Sequence, residues 1–216
     1  AMLQDEAGQW NLTKLIKPTP EDTSKSTFPF MIQVNDIQFH NISFKRQSFA
    51  NLKSGKDYSV LNTDDFRIDK LNFSAQIFAD INNSNYLLIL KELSFKPNLT
   101  RFTLKYISGE FAVTKEFASI SNFYFLSDSS EVNINARLDS LNLFGNARLK
   151  DFRNYPITID ARAKSFNFDD LSSFITSTEI LKGSPSLELK AHGRFGNFKI
   201  DKFEADFRDT HFELEG

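Results

Sequence analysis

An eight-residue pattern recurs seven times along these 216 residues: apolar–any–apolar, two polar residues, apolar–any–apolar. It runs through Ile32/Val34 with Ile37/Phe39, Phe66/Ile68 with Leu71/Phe73, and Leu88/Leu90 with Leu93/Phe95. It returns at Ala118/Ile120 with Phe123/Phe125 and at Ala136/Leu138 with Leu141/Leu143. The last two are Ala161/Ala163 with Phe166/Phe168 and Phe198/Ile200 with Phe203/Ala205. Alternation with period two marks a strand with one buried face. The central step of three would turn every later side chain to the other face. A bulge, in which two residues occupy one slot, restores the phase; a tight turn between two strands is the alternative. A helix is excluded, because steps of two and five scatter these positions around its axis. The pattern predicts a long β-structure with one continuous apolar face.

Composition narrows what such a face can do. Phe is the dominant aromatic, 24 against 5 Tyr and 1 Trp, so the face is thick and wholly apolar. The net charge of −2, from 26 basic and 28 acidic residues, gives no footprint for nucleic acid. The chain has no cysteine, which removes disulfides and thiolate chemistry. No apolar run is long enough to span a bilayer, and no signal-peptide core opens the chain. The ends, Ala1-Met2 and the mid-pattern stop at Gly216, read as the limits of a piece of something longer, cut after an N-terminal anchor.

Residues 1–27 read as an N-terminal segment, with a short helix or strand around Trp10 and Leu12, followed by a linker through Pro18 and Pro20. Residues 28–216 read as the repeating β-region. Asn51 to Asp65 is a long loop; Asn82-Asn83-Ser84-Asn85, Ser108-Gly109, Ser127 to Ser130 and Gly145-Asn146 read as turns. Leu171, Phe174, Ile175 and Thr178 stand at helical spacing behind Asp169-Asp170, which predicts a helix of about three turns near 169–181, ended by Gly183 and Pro185. It lacks the basic face of a membrane-surface helix, so a cap on the end of the sheet is its expected role.

Catalytic signatures are missing. His40, His192 and His211 show no ligand spacing, and neither a metal site nor a cofactor is expected. Asp64-Asp65 and Asp169-Asp170 are adjacent pairs, whose side chains diverge on a strand, so turn and cap roles account for them. Gly193-Arg194-Phe195-Gly196 lies between strand-like segments and reads as a hairpin turn rather than a phosphate loop. An enzyme is not expected.

Trp10-Asn11-Leu12, the proline-containing linker, and Phe28-Pro29-Phe30 with Ile32, Val34, Ile37, Phe39, Asn41, Ser43 and Phe44 resemble the AsmA-like family, whose relatives include the TamB-type envelope proteins. Ile42 follows Asn41 where that family commonly has Gly. The entry Phe166-Asn167-Phe168-Asp169-Asp170-Leu171, then Gly183, Leu187/Leu189, Gly193 and the stretch from Phe203 to Gly216 are similar to it as well. The resemblance covers about half of the chain. It implies an all-β, mainly antiparallel, elongated curved groove with one or two short helices. It further implies a periplasmic protein of a Gram-negative bacterium, held to the inner membrane by a preceding helix. Its partners would be phospholipid acyl chains moving toward the outer membrane, or outer-membrane assembly proteins.

The expected groove lining is Ile37, Phe39, Leu71, Phe73, Phe123, Phe125, Leu141, Leu143, Phe166, Phe168 and Phe203. Two other readings stand beside the groove: a structural β-sandwich whose apolar faces pack on each other, and a protein-binding scaffold that uses an exposed edge strand. The repeats begin 18 to 37 residues apart, wider than the regular 8–12-residue strand spacing of a sandwich.

Overall fold

The computed structural model describes residues 2–11, 30–51, 55–140, 154–178, 180–194 and 196–216. They form one open, curved, all-β groove. Its strands are β1 (Met2–Leu3), β2 (Met31–Gln47), β3 (Asp65–Asp80), β4 (Asn85–Pro97), β5 (Leu104–Val113) and β6 (Phe117–Ser127), followed by β7 (Glu131–Asp139), β8 (Ile157–Ser165), β9 (Ser186–Arg194), β10 (Asn197–Phe207) and β11 (Thr210–Leu214). One short helix, α1 (Phe168–Ser172), and 3-10 turns at Phe49–Asn51 and Thr176–Thr178 complete the described elements. Strand order follows the chain from β1 to β11 without a crossover. Every pairing is antiparallel except β1 with β2, which is parallel at Met2↔Arg46 and Leu3↔Gln47. Among the described residues no second sheet packs against this one.

The step of three resolves as a bulge inside one continuous strand in five repeats. Register shifts fall at Val34/Ile37 in β2, Asp69/Asn72 in β3, Leu90/Leu93 in β4, Ile120/Phe123 in β6 and Ile200/Lys202 in β10. Each bulge bends its strand and keeps both apolar pairs on one face. Lys70 (φ 53) and Asn122 (φ 52) stand just before the second apolar pair in the left-handed region, where glycine is the usual occupant. Ser140 (φ 62), where β7 has ended, holds the same place in the fifth repeat, whose Leu141 and Leu143 lie outside the described residues. In the sixth repeat β8 stops at Ser165, so Phe166 and Phe168 leave the sheet.

The other turns are mixed. Residues 81–84 turn between β3 and β4, and 128–130 between β6 and β7, as the sequence predicts. Ser108-Gly109 does not turn: it lies inside β5 at another bulge, between Ser108 and Glu110. Arg194 pairs with Asn197 across the expected hairpin. A Cβ on Gly193 (φ 140) would meet the Asn197 carbonyl oxygen at 2.4 Å, which is why only glycine fits there. Gly145-Asn146 lies outside the described residues, as do Leu12 and the prolines of the linker. Met2–Leu3 joins the sheet, and the Arg46 guanidinium lies 4.5 Å over the Trp10 ring.

The helix is shorter than its spacing predicts. Asn167, not the Asp169-Asp170 pair, caps it by accepting the Asp169 N–H at 2.9 Å. After Ser173 the chain passes to the 3-10 turn, so Phe174 and Ile175 lie beyond α1. Asp170 turns inward instead of facing solvent and takes hydroxyl hydrogen bonds from Ser127 and from Ser130, the latter at 2.7 Å. Those bonds hold the helix to the β6–β7 turn.

Candidate functional site

The register puts an apolar row across ten strands. It begins Phe39, Phe73, Leu93, Ile107 and Phe125, each opposite the next on β2 to β6. It continues through Val132, Ala163, Leu187, Ala205 and Phe212 on β7 to β11. A second row on the same face joins Val34, Ile77, Leu88 and Phe111 to Ile120, Ala136, Ile159, Ala191 and Ile200. Between the rows runs the line of bulges, so the face is creased along its middle. The Phe39 and Phe73 rings stack at 5.8 Å across β2 and β3.

Of the expected lining, Ile37, Phe39, Leu71, Phe73, Phe123, Phe125 and Phe203 share this face. Phe166 and Phe168 do not belong to the sheet's surface. They flank the start of α1, ring against ring at 5.5 Å, because the strand ends before them. Both halves of each bulged repeat face the same way, so Val34, Ile68, Leu88, Leu90 and Ile120 line it as well. The β5 residues Leu104, Ile107 and Phe111 had no signal in the eight-residue pattern, since the β5 bulge puts Gly109 on the face between Ile107 and Phe111.

Exposure varies along the face. Phe39 is 46% exposed and Phe212 52%, whereas Leu104 is 3%. The difference comes from a cap over one end of the strands. Leu99, Phe102 and Leu104 form a buried cluster there, with Tyr58, Leu93, Phe95, Ile107 and Phe125 against it. Three connections knit over the cluster. Tyr58 N–H donates to the Asn98 carbonyl (3.0 Å), Thr100 N–H to the Tyr58 carbonyl (2.9 Å), and Leu61 N–H to the Ser173 carbonyl (2.8 Å). The Phe102 and Phe174 rings meet edge to face at 4.8 Å, and Lys182 reaches Asp169 at 3.1 Å.

Beneath this cap is a cavity of about 380 Å³. Leu93, Phe95, Leu104, Ile107 and Phe125 form its floor, and Phe102, Phe166, Leu171 and Phe174 its cover, with Ser130 and Asp170 as its polar members. At the other strand ends a shallower depression of about 300 Å³ lies over Phe111, Val113, Ile120, Ala136, Leu138 and Ile157.

The opposite face is charged. Glu188 accepts from Lys202 (2.9 Å) and Arg162 (3.2 Å), and Lys202 also reaches Glu204 at 2.9 Å. These hydrogen bonds hold the Glu188 carboxyl below its usual range and the Lys202 amine above its own. At the β10–β11 turn His211 lies 2.5 Å from Asp206, which raises the imidazole and lowers the carboxylate. The three histidines are not brought together: His40 meets Gln38, His192 meets Asp201 and His211 meets Asp206. Two buried carboxyls were missed by the sequence reading, Asp170 and Asp65. Asp65 accepts from Gln47 (2.6 Å) and Tyr58 (2.9 Å) and ties the β2–β3 loop to the sheet. Each is the second member of an adjacent Asp pair, where a strand or helix start turns one side chain in and its neighbour out.

No family model matches this chain, and neither do the curated proteins or the solved structures compared with it.

Proposed function

We propose that this chain is a periplasmic segment of an AsmA/TamB-like envelope protein that holds or conducts phospholipid acyl chains between the inner and outer membranes of a Gram-negative bacterium. In this reading the full-length protein is anchored to the inner membrane. The observation that carries it is the unbroken apolar row from Phe39 to Phe212, exposed at both of its ends. An acyl chain laid on such a face gains ~0.8 kcal/mol per CH₂ removed from water, with little dependence on direction. The charged headgroup stays in water, and the transfer involves no covalent step and no cofactor. The charged opposite face, with its Glu188–Lys202–Glu204 cluster, keeps the outside of the groove wetted.

A second reading has its own observation. Among the described residues β1 pairs with β2 only at Arg46 and Gln47, leaving the outer edge of β2 from Met31 to Lys45 without a strand beside it. An extended segment of an outer-membrane assembly protein could add there by backbone hydrogen bonds.

Native mass spectrometry of the purified chain, followed by solvent extraction and lipid identification, separates these. Near-stoichiometric phospholipid, lost in a folded Phe39→Asp variant, is the expected result. Phe39 suits the test because it is half exposed, whereas Phe125 packs on the cap cluster and a charge there would cost the fold itself. A lipid-free mass that persists after incubation with phosphatidylethanolamine vesicles would overturn the lipid reading.

A further inference from the structure

The cap does more than close the sheet, because the space beneath it is lined for a ligand of one kind. The Leu93, Ile107 and Phe125 side chains that floor the cavity belong to the long apolar row, so the cavity opens onto the face rather than standing apart from it. Phe102 and Leu104 of the buried cluster line it, and the Phe102–Phe174 ring pair lies against it. The two polar members are already engaged. The Ser130 hydroxyl donates to Asp170 and accepts the Asn167 N–H at 2.9 Å, and Asp170 also receives the Ser127 hydroxyl. Neither is aimed at an incoming polar group, and an anionic headgroup would be desolvated beside the Asp170 carboxyl.

We propose that this cavity receives the methyl end of a single hydrocarbon chain, so that the cap orients the lipid with its headgroup toward the open face and limits how far the chain can enter. The inference rests on the lipid reading of the groove and adds to it a fixed terminus and an orientation. At ~30 Å³ per water-sized group, a space of about 380 Å³ takes roughly a dozen chain carbons. That is enough for the tail of one acyl chain. A compact apolar molecule would fit the volume but would not use the continuity with Phe73 and Phe39 along the row.

Brominated fatty acids and introduced tryptophans test it, with the one natural tryptophan removed by Trp10→Phe. Phe174→Trp places a reporter on the cavity cover and Phe39→Trp another on the open face; both positions are partly exposed. The probe is hexadecanoic acid brominated at its terminal carbon or beside its carboxyl. The expected result is strong loss of Phe174→Trp fluorescence with the terminal bromine and weak loss with the carboxyl-side bromine. Equal or reversed quenching at that reporter overturns the orientation. Quenching of Phe39→Trp with none at Phe174→Trp overturns the cavity inference and leaves the groove reading standing. Quenching of neither overturns both. Leu171→Trp, which fills the cavity, should shift the best-bound fatty acid to shorter chains by about two carbons at ~30 Å³ each. A chain-length profile that Leu171→Trp leaves unchanged in a folded protein also overturns it.

Discussion

The side-chain oxygen of Asn135 on β7 accepts the backbone N–H of Asn122 on β6 at 2.8 Å, and Asn122 is the left-handed residue of its bulge. The same arrangement recurs across β2 and β3, where Asn72 accepts the N–H of left-handed Asn41 at 3.0 Å. A neighbouring asparagine thus satisfies the donor that the bulge removes from the ladder. Asn135→Ala should destabilise the sheet by ~0.5–1.5 kcal/mol, toward the low end because water can reach the freed N–H. Asn122→Gly should offset part of that loss by relieving the left-handed backbone. Urea unfolding of the single and double variants measures both, and an unchanged midpoint for Asn135→Ala would show the bond to be dispensable.

Gly109 faces the apolar side within β5, where a Cβ would lie 3.1 Å from the Phe123 Cα. Gly109→Val should cost ~1–3 kcal/mol through overpacking against the β6 bulge. Gly55→Ala is the control, since among the described residues nothing lies within 4 Å of its Cβ position. Comparable losses at the two sites would mean that the close approach is not the cause.

The cap hangs on Asp170. Asp170→Ala leaves the buried Ser127 and Ser130 hydroxyls without their carboxylate acceptor and should cost ~1–3 kcal/mol. The local signature is loss of hydrogen-exchange protection at the Leu61 amide, which donates to Ser173, ahead of any loss in β3 or β4. Leu61 protection that falls only together with the sheet would make the cap part of one cooperative unit.

The β10–β11 hairpin should carry a pH signature. The hydrogen bond to Asp206, then its charge, raises the His211 pKa above that of a free imidazole. The folded hairpin therefore holds the proton more tightly than the unfolded chain does. Its contribution is full below ~6.5 and is lost as pH rises through the raised value. Asp206 is lowered by the same bond, so its share is present above ~3.9 and lost as pH falls through the lowered value. An NMR titration of His211 should give a midpoint above ~6.5 that falls toward it in Asp206→Asn. A midpoint indifferent to that substitution would remove Asp206 as the cause.

Spacing alone carried the single face and narrowed the step of three to a bulge or a tight turn, because period two is a property of the extended backbone and a step of three has few resolutions. It could not carry β5, whose face is interrupted by a glycine that is invisible to a hydrophobic count. It put Phe166 and Phe168 on the strand, because their spacing continues the pattern although Asn167 has already capped a helix between them; Phe166 lines the cavity under the cap instead. Asp170 was read as half of an N-cap pair; it does stand in the first turn of α1, but its side chain is engaged by Ser127 and Ser130, some 40 residues away in the chain and adjacent only once β6 and β7 have turned. Local periodicity survives translation into structure; long-range polar partners do not announce themselves.

Strand order that never departs from chain order makes this sheet a one-dimensional array. Away from the cap each strand pairs only with its immediate neighbours, so there stability is close to a sum of nearest-neighbour terms and fraying begins at the two margins. The β3–β4, β5–β6, β6–β7, β9–β10 and β10–β11 hairpins can form as soon as they are synthesised, with little loop closure to overcome. Reach is then a free variable of the architecture: a hairpin added or removed at a margin changes how far the trough extends while every interior strand keeps its bends, its partners and its apolar side.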